Sequence, residues 1–191
     1  MAPHKFNPER LAMLDDPERL DALRPDEMWR ALGSPAPDVI VEIGAGTGGL
    51  AARFAALAPD ALIYAADIEP GMLQWMKDKR PEVSAGRIVP LLSEENHVPC
   101  DDAVADIVYM VTLHHELEDP RAMYTEALRL LKPGGMLLVA DWAPRRTPGG
   151  PPLHQRASAG EVMSMLEDAG FEDIAEHPEL PWTWLLTARR R

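Results

Sequence analysis

The most informative part of the sequence is Val39-Ile40-Val41-Glu42-Ile43-Gly44-Ala45-Gly46-Thr47-Gly48-Gly49, an apolar run that leads into a glycine-rich turn. Its first five residues form an apolar run that is typical of a strand buried on both faces. The glycines that follow allow a tight turn and a close approach of a ligand to backbone N–H groups. Because residues 48–58 then place apolar side chains on one helical face, the stretch predicts a strand, a ligand-binding loop and a helix.

The alternation of strand and helix continues after this stretch. Short apolar runs predict strands at residues 61–66, 87–92, 106–111 and 136–140. Helical patterns lie between them at residues 70–80 and 120–131. Strands that alternate with helices form a parallel sheet, so this part of the chain predicts an α/β fold.

The C-terminal part of the chain breaks the alternation. Ser158 and Glu161 form a capping box that opens a helix, and Gly170 is placed to end it. Two strands, at residues 171–179 and 182–188, then follow without a helix between them and should pair as a hairpin. We therefore expect a doubly wound, seven-stranded, mostly parallel sheet with an antiparallel C-terminal hairpin.

The N-terminal part of the chain has a different pattern. Residues 8–32, within an N-terminal segment of residues 1–36, are charged and helix-prone, with scattered leucines as apolar anchors and with Pro17 and Pro25 as breaks. They predict short helices that lie as a lid over the α/β domain, which occupies residues 37–191. The 191 residues leave little room for a separate substrate domain.

Charge and composition limit the partners. A formal net charge of −12 repels phosphate backbones and anionic lipid, so we expect neither a nucleic-acid nor a membrane partner. No signal core and no long uncharged apolar stretch is found in the sequence. The single cysteine, Cys100, excludes a disulfide framework and a structural zinc site of several thiolates. We expect a cytoplasmic protein and assign no metal ligands.

Two cofactors are compatible with the glycine-rich turn. Gly44, Gly46 and Gly49 also satisfy the dinucleotide fingerprint, and Asp67 lies near the distance of an acid that binds a ribose. Glu42 separates the two hypotheses, because a carboxylate beside the loop repels a pyrophosphate but favours the sulfonium and ammonium of S-adenosylmethionine. In the alternative interpretation, Glu42 only accepts hydrogen bonds from the N–H groups of the loop.

The chain resembles the class I S-adenosylmethionine-dependent methyltransferases. Glu42 with Gly44, Gly46 and Gly48 is similar to their first motif, and Asp67 ends the second strand where the family has its ribose-binding acid. Ile68 follows at a position that packs on the adenine in that family, and Glu94 aligns with a residue that meets the adenine amino group. The resemblance implies the following cofactor-binding residues: Glu42, Gly44, Ala45, Gly46, Gly48, Asp67, Ile68, Glu94, Glu95 and Val111.

The resemblance extends over most of the α/β domain. Residues 130–135 are similar to the turn before the fifth strand, and residues 166–171 to the step into the last hairpin. Within the family, the chain is most similar to small bacterial and archaeal members related to the enzymes of ubiquinone and menaquinone biosynthesis. The tracts that carry this similarity are residues 5–9, 115–119, 141–142 and 147–152.

Methyl transfer is an in-line displacement, in which a base is needed only for a weakly acidic acceptor. In a doubly wound sheet, residues just after strands four and five face the acceptor, and a Gly- and Pro-rich loop at residues 144–156 is expected to cover it. The catalytic candidates are His115, Asp141 and His154. Two of them have a structural alternative, a solvated helix end for His115 and a loop cap for Asp141. We expect Trp182 and Trp184 to lie in the core.

The function predicted from the sequence is methyl transfer from S-adenosylmethionine to a small-molecule acceptor. One alternative is an NAD(P)-dependent oxidoreductase, which Glu42 and the terminal hairpin disfavour. Short-chain reductases of this size also need a tyrosine followed four residues later by lysine, and no tyrosine here has one. The other alternative is a non-catalytic subunit that binds S-adenosylmethionine.

Overall fold

One sheet of seven strands forms the centre of the molecule. The computed structural model describes residues 11–178 and 180–191, and the spatial order of the strands is β3-β2-β1-β4-β5-β7-β6. The strands are β1 (Val39–Ile43), β2 (Leu62–Asp67), β3 (Ile88–Leu92), β4 (Ala105–Val111), β5 (Leu131–Trp142), β6 (Phe171–His177) and β7 (Thr183–Arg190). Strands β1 to β5 are parallel, and β7 runs antiparallel between β5 and β6. The predicted fold class is confirmed.

Helices cover both faces of the sheet. They are α1 (Leu11–Leu14), α2 (Pro17–Ala22), α3 (Pro25–Ala31), α4 (Gly49–Leu57), α5 (Pro70–Lys79), α6 (Pro81–Ser84), α7 (Pro120–Leu130) and α8 (Ala159–Ala169). Successive strand residues point to opposite faces. Ile40 therefore packs in one apolar core with Phe54 of α4, while Val41 packs in a second core with Tyr124 of α7.

The order of the strands creates a crevice between β1 and β4. From β1 the chain continues to β2 and β3 on one side, and it then crosses to β4 on the other side. The connections leave the carboxyl ends of β1 and β4 in opposite directions, and ligands of doubly wound sheets bind at such a reversal. In this crevice Glu42 of β1 lies opposite Tyr109 of β4 in the strand register.

Several elements differ from the sequence-based expectation. Strand β5 begins at Leu131, five residues before the predicted start, because Leu131 pairs with Ala105 before a register shift in the ladder. Strand β6 ends at His177, whereas the prediction reached Glu179, which lies outside the described residues. Strand β7 continues to Arg190, which pairs with Phe171. The four-residue helix α6 was not predicted. The N-terminal tract at residues 5–9 also lies outside the described residues.

The N-terminal helices share the core of the sheet. Leu20 and Leu23 at α2, and Met28 and Trp29 of α3, are buried in the same cluster as Ile40 of β1. Trp29 also contacts Phe54, with 5.5 Å between the ring centroids. The segment is thus packed on the α/β domain through apolar contacts. Among the described residues, no helix has the length and apolar character needed to cross a bilayer.

The ends of α8 are formed as predicted. The Ser158 hydroxyl accepts a hydrogen bond from the Glu161 N–H at 3.3 Å, and a Glu161 carboxylate oxygen accepts one from the Ser158 N–H at 2.7 Å. Gly170 ends the helix in the left-handed conformation, at φ 97°. These contacts satisfy N–H groups of the first turn that the helix itself cannot satisfy.

We predict that Ser158→Ala lowers the free energy of unfolding by about 1 kcal/mol, because the first turn of α8 loses its cap. Urea denaturation followed by circular dichroism measures the change. Ser164→Ala is the matched control, because Ser164 is exposed within the same helix. The control should leave stability unchanged or raise it by up to about 0.5 kcal/mol. Equal effects of the two substitutions would contradict a capping role for Ser158.

Candidate active site

A cavity of about 760 Å³ lies at the carboxyl ends of the parallel strands. Its volume is within the range of about 300–1,000 Å³ that is typical of small-molecule sites. The predicted site residues that line it are Glu42, Gly44, Ala45, Gly46, Asp67, Ile68, Glu94, Glu95, Val111 and His115. Gly48, Asp141 and His154 are not among the lining residues. Gly48 is instead the N-cap of α4, at φ 70°.

The glycine loop places its backbone against the end of β2. The N–H groups of Gly44 and Ala45 both donate to the Ala66 carbonyl, at 2.9 Å. Gly44 has a φ of 75°, and a Cβ atom there would lie 2.7 Å from the Leu113 side chain. Glycine is required at this position by both the backbone conformation and the space. The loop and the residues after β4 therefore come close enough to form one wall.

Asp67 connects the end of β2 to the glycine loop. One carboxylate oxygen accepts a hydrogen bond from the Gly46 N–H at 2.7 Å, and the other accepts one from the Glu69 N–H at 2.9 Å. Burial raises the pKa of Asp67, although these two hydrogen bonds oppose the shift. The carboxylate thus supports the loop as well as lining the cavity, a role that sequence reasoning missed.

Glu42 is buried at the end of β1 and has an unpartnered oxygen. Its Oε2 atom has no hydrogen-bond partner among the described residues, and the same holds for the buried Tyr109 hydroxyl. Burial raises the pKa of Glu42 to about 8. The N–H groups of Gly44, Ala45, Gly46 and Gly48 all donate to other acceptors. These four loop N–H groups therefore do not donate to Glu42, whereas the Ala51 N–H, in the first turn of α4, partly opposes the rise in its pKa as a hydrogen-bond donor.

The loop after β3 forms the end of the cavity next to β2. Glu94 is exposed, Glu95 is half-buried, and both line the cavity. Two side chains of α7 hold the backbone of Val98, which comes shortly after this loop. Glu126 accepts a hydrogen bond from the Val98 N–H at 2.8 Å, and Arg129 donates one to the Val98 carbonyl at 3.0 Å. Sequence reasoning missed this network because its partners are about 30 residues apart in the chain.

His115 and Asp141 come together at the other end of the cavity. The Nδ1 atom of His115 lies 2.9 Å from the Oδ1 atom of Asp141, and the His115 side chain is 10% exposed. Burial lowers the pKa of His115, but the hydrogen bond and charge of Asp141 outweigh burial, and the net shift is upward. An ionised carboxylate can only accept, so Nδ1 carries the proton and Nε2 has a lone pair.

An aromatic wall adjoins this pair. Trp142, at the end of β5, is stacked on Trp182, with 6.1 Å between the ring centroids and an interplanar angle of 9°. Both rings line the cavity, so the prediction that Trp182 lies in the core is wrong. Trp184 is in the core, where its Nε1–H donates to the Ala157 carbonyl at 2.9 Å. The alternation of side chains along β7 places Trp184 in the core. Trp182 precedes β7, so the alternation does not apply to it.

Arg156 fixes the Gly- and Pro-rich loop over this wall. Its guanidinium lies over the Trp142 ring, 5.3 Å from the centroid, and donates to the carbonyls of Pro151, Arg145 and Gly149 at 2.8–3.0 Å. A Cβ atom at Gly150 would lie 2.5 Å from the Trp142 ring, so the loop approaches this ring closely. Residues 148–151 of this loop line the cavity next to Trp142.

The other two histidines near the cavity have different surroundings. His154 is exposed in a short 3-10 turn, Leu153–Gln155. His114 is buried, and its Nδ1 atom lies 2.7 Å from the Tyr124 hydroxyl. Within the described parts of the chain, no group of three or more His, Cys, Asp or Glu side chains is arranged to hold a metal ion.

Arg19 is a further cavity-lining residue that sequence reasoning missed. It lies on α2 and is half-buried, and its Nη2 atom is 3.5 Å from the Thr112 hydroxyl. The sequence pattern of the N-terminal segment indicated only its apolar anchors. The signal that could have indicated Arg19 is a cation at helical spacing from those anchors. The cavity therefore combines carboxylates at one edge with a guanidinium that comes from the N-terminal helices.

Known proteins share this architecture. A malonyl-[acyl-carrier protein] O-methyltransferase of Hahella chejuensis is 32% identical over 104 residues, which are 54% of this chain and 36% of that protein. A demethylmenaquinone methyltransferase of Clavibacter sepedonicus is 28% identical over 149 residues, which are 74% of this chain and 59% of that protein. The chain thus spans about a third to three fifths of the length of these two relatives.

The crystal structure of a SAM dependent methyltransferase from Aquifex aeolicus has the same fold over nearly its whole length. It superposes with a TM-score of 0.87 at 26% identity and covers 98% of this chain and 100% of that one. The family model described as a methyltransferase domain matches residues 41–139. That range holds the glycine loop, Asp67 and His115 and is more than half of the chain. This protein belongs to the methyltransferase-domain family.

Proposed function

We propose that this protein transfers a methyl group from S-adenosylmethionine to a small-molecule acceptor by in-line displacement. The observation that carries the proposal is the buried, unpartnered Oε2 atom of Glu42 beside a glycine loop whose N–H groups at Gly44, Ala45, Gly46 and Gly48 donate to other acceptors. A buried carboxylate without a partner is costly, and a cationic ligand removes that cost. The ammonium of S-adenosylmethionine is such a ligand, whereas a pyrophosphate is not.

The order of polar side chains along the sheet edge fits the cofactor. Glu94 follows β3, Asp67 ends β2, Glu42 lies near the end of β1, and His115 follows β4. These positions match, in order, the adenine edge, the ribose hydroxyls, the amino-acid end and the transferred methyl group. The Asp67 carboxylate, already aligned by two N–H groups, has remaining acceptor capacity for ribose hydroxyls.

When bound, the cofactor supplies an electrophilic methyl group on a sulfonium. The chain's own task is to hold the acceptor in line with that group and to exclude water. His115 and Trp142 border the acceptor end, and residues 148–151 of the loop cover it. The helices of residues 11–31 act as a lid on the opposite side. This division of the cavity supports an acceptor of small-molecule size.

His115 is proposed as the base that takes a proton from the acceptor. Asp141 holds its Nδ1–H, which leaves Nε2 to receive the proton and stabilises the imidazolium that forms. The raised pKa of His115 keeps it a stronger base than an isolated histidine. The adjacent carboxylate of Glu116, 3.6 Å from Nε2, adds to the same effect. This arrangement suits an acceptor with a weakly acidic O–H, N–H or C–H group.

Location and partners are part of this proposal. The net charge of −12 supports a small molecule rather than a nucleic acid as the acceptor. Cys100 is a free, half-buried thiol, which supports a reducing, cytoplasmic location.

We predict that isothermal titration calorimetry detects binding of S-adenosylmethionine or S-adenosylhomocysteine but not of NAD or NADP. Asp67→Asn should weaken the binding by about 1.5–3 kcal/mol, roughly 10- to 100-fold, because the ribose hydroxyls lose a charged acceptor. Asp60→Asn, an exposed acid after α4, is the control and should bind normally. Unchanged affinity in a folded Asp67→Asn variant would exclude Asp67 as the ribose ligand, and tighter binding of NAD would overturn the cofactor.

We predict that the protein releases close to one proton for each S-adenosylhomocysteine that it binds at pH 6.5. Glu42, with a pKa of about 8, is protonated in the free protein at this pH and must ionise to pair with an ammonium. Affinity should therefore rise with pH up to about 8 and then level off. Calorimetry in two buffers of different ionisation enthalpy measures the proton count. Glu42→Gln should release none, and equal release by both proteins would assign the proton to another group.

We predict that His115→Ala leaves cofactor affinity nearly unchanged and lowers turnover by roughly 10²- to 10⁴-fold, the range for loss of a general base. Turnover of the unaltered protein should rise with pH through a pKa above 6.5, since only the neutral imidazole accepts a proton. Asp141→Asn should move this limb to lower pH, because the imidazolium loses the charge that stabilises it. An acceptor found by mass spectrometry of metabolite extracts with labelled S-adenosylmethionine makes the assay possible.

The matched control for this prediction is His154→Ala, an exposed histidine that does not line the cavity. Its turnover should equal that of the unaltered protein. If His154→Ala lost turnover and His115→Ala did not, the base would be His154. If neither substitution changed turnover while cofactor binding persisted, the acceptor would need no base. If the unaltered protein bound the cofactor but formed no labelled product, it would be a non-catalytic subunit.

A further inference from the structure

Arg19 makes longer contacts than three other half-buried arginines, Arg129, Arg80 and Arg156. Arg129 binds the carboxylates of Glu126 and Asp102, and Arg80 binds that of Asp15. Arg156 makes no ion pair but donates to backbone carbonyls and to the Thr147 hydroxyl at 2.8–3.2 Å. Arg19 makes no ion pair with a described carboxylate either, although the charge of Asp16 is close enough to raise its pKa.

The contacts that Arg19 does make are weak. Its guanidinium donates to the Leu14 carbonyl and to the Thr112 hydroxyl, each at 3.5 Å, which is the outer limit of a hydrogen bond. A guanidinium has five N–H donors, and two long contacts leave most of its capacity unused. Burial lowers the pKa of Arg19, which reflects a charge held away from water. A half-buried cation that lines a cavity under these conditions is suited to bind an anion.

The place of Arg19 identifies the anion. Thr112 directly follows β4, and the next residue, Leu113, contacts Gly44 of the glycine loop. Arg19 therefore reaches the cavity in the crevice between β1 and β4, where Glu42 also lies. One side of this crevice offers an unpartnered carboxylate oxygen, and the other offers an unpaired guanidinium. A ligand group with an ammonium and a carboxylate on one carbon satisfies both.

We infer that Arg19 binds the α-carboxylate at the methionine end of the cofactor while Glu42 binds its ammonium. This inference rests on the proposed function, because it takes S-adenosylmethionine as the ligand. Arg19 is the member of the pair that the α/β domain does not supply, since it belongs to α2 of the N-terminal segment. The cofactor thereby bridges the two parts of the chain.

The contact between Arg19 and the cofactor also affects the cover over the acceptor side of the cavity. Asp15, just after α1, accepts a hydrogen bond from the Trp75 Nε1–H at 2.9 Å and also binds Arg80, whose Nε–H donates to the Thr47 carbonyl of the glycine loop at 2.9 Å. These contacts add to the apolar packing of α2 and α3 and to the ion pair between Asp21 and Arg53, and Arg19 adds a further attachment when the carboxylate is bound. Because Leu14, Leu20 and Leu23 of the same segment line the cavity, the cofactor fixes the cover over the acceptor.

The test compares S-adenosylmethionine with decarboxylated S-adenosylmethionine, which retains the ammonium and lacks the carboxylate. Calorimetry on the full chain should show that the decarboxylated ligand binds the unaltered protein roughly 10- to 100-fold more weakly, the usual worth of a charged hydrogen-bonded pair. In Arg19→Gln the two ligands should bind about equally. In Glu42→Gln the preference for the carboxylate should persist, although both ligands bind more weakly. Arg19→Lys should restore part of the preference, because it keeps the charge and loses the two-pronged geometry.

Arg30→Gln, an exposed arginine on α3, is the matched control and should keep the full preference. If Arg19→Gln retained the preference, or lost affinity for both ligands equally, the inference would be overturned. If the unaltered protein bound neither ligand, the proposed function itself would fail. The two failures are therefore distinguishable.

Hydrogen exchange of residues 11–23 gives a second readout that does not depend on the variants. S-adenosylmethionine should slow the exchange of these backbone N–H groups more than saturating decarboxylated ligand does, because only S-adenosylmethionine carries the carboxylate that Arg19 binds. Equal protection by the two ligands at saturation would show that the N-terminal segment does not bind the carboxylate.

Discussion

The burial of the Glu42 carboxylate is the constraint on which the rest of the site depends. A carboxylate that is withdrawn from water and lacks a partner for one oxygen opposes folding, and its raised pKa expresses that cost. The Tyr109 hydroxyl beside it is buried and unpartnered as well. The apolar cores on both faces of the sheet must offset these costs. A fold that retains such a group in its central crevice is shaped for a ligand rather than for maximal stability.

The register of the sheet turns this local cost into a site. Parallel strands end at the same edge, so the residues after β1, β2, β3 and β4 meet although they are far apart in the chain. The contact between His115 and Asp141 has the same origin, because Val111 of β4 pairs with Ala140 of β5 and both chains continue from there. A hydrogen bond across 26 residues follows from one ladder. The local motifs determine which residue types occur at the strand ends, and the strand register determines the distances between their side chains.

This division explains what could be predicted from the sequence. Strand and helix periods predicted the seven strands, and the capping box of α8 was visible as Ser158 and Glu161. The glycine loop and Asp67 could be read as a cofactor edge because their meaning is local. The start of β5 could not, since it depends on the pairing of Leu131 with Ala105. The position of Trp182 also could not, since β7 begins only at Thr183 and the alternation that places Trp184 in the core does not extend to Trp182.

Several residues of the site lie outside the range that the family model matches. The family match at residues 41–139 contains the glycine loop, Asp67 and His115, which form the edge assigned to the cofactor and its reactive end. Arg19, Asp141, Trp142 and the loop held by Arg156 all lie outside that range. Similarity within the matched range therefore bears on the cofactor more than on the acceptor. On the proposed function, the N-terminal helices and the residues after β5 would select the molecule that approaches His115, and residues of both segments line the cavity.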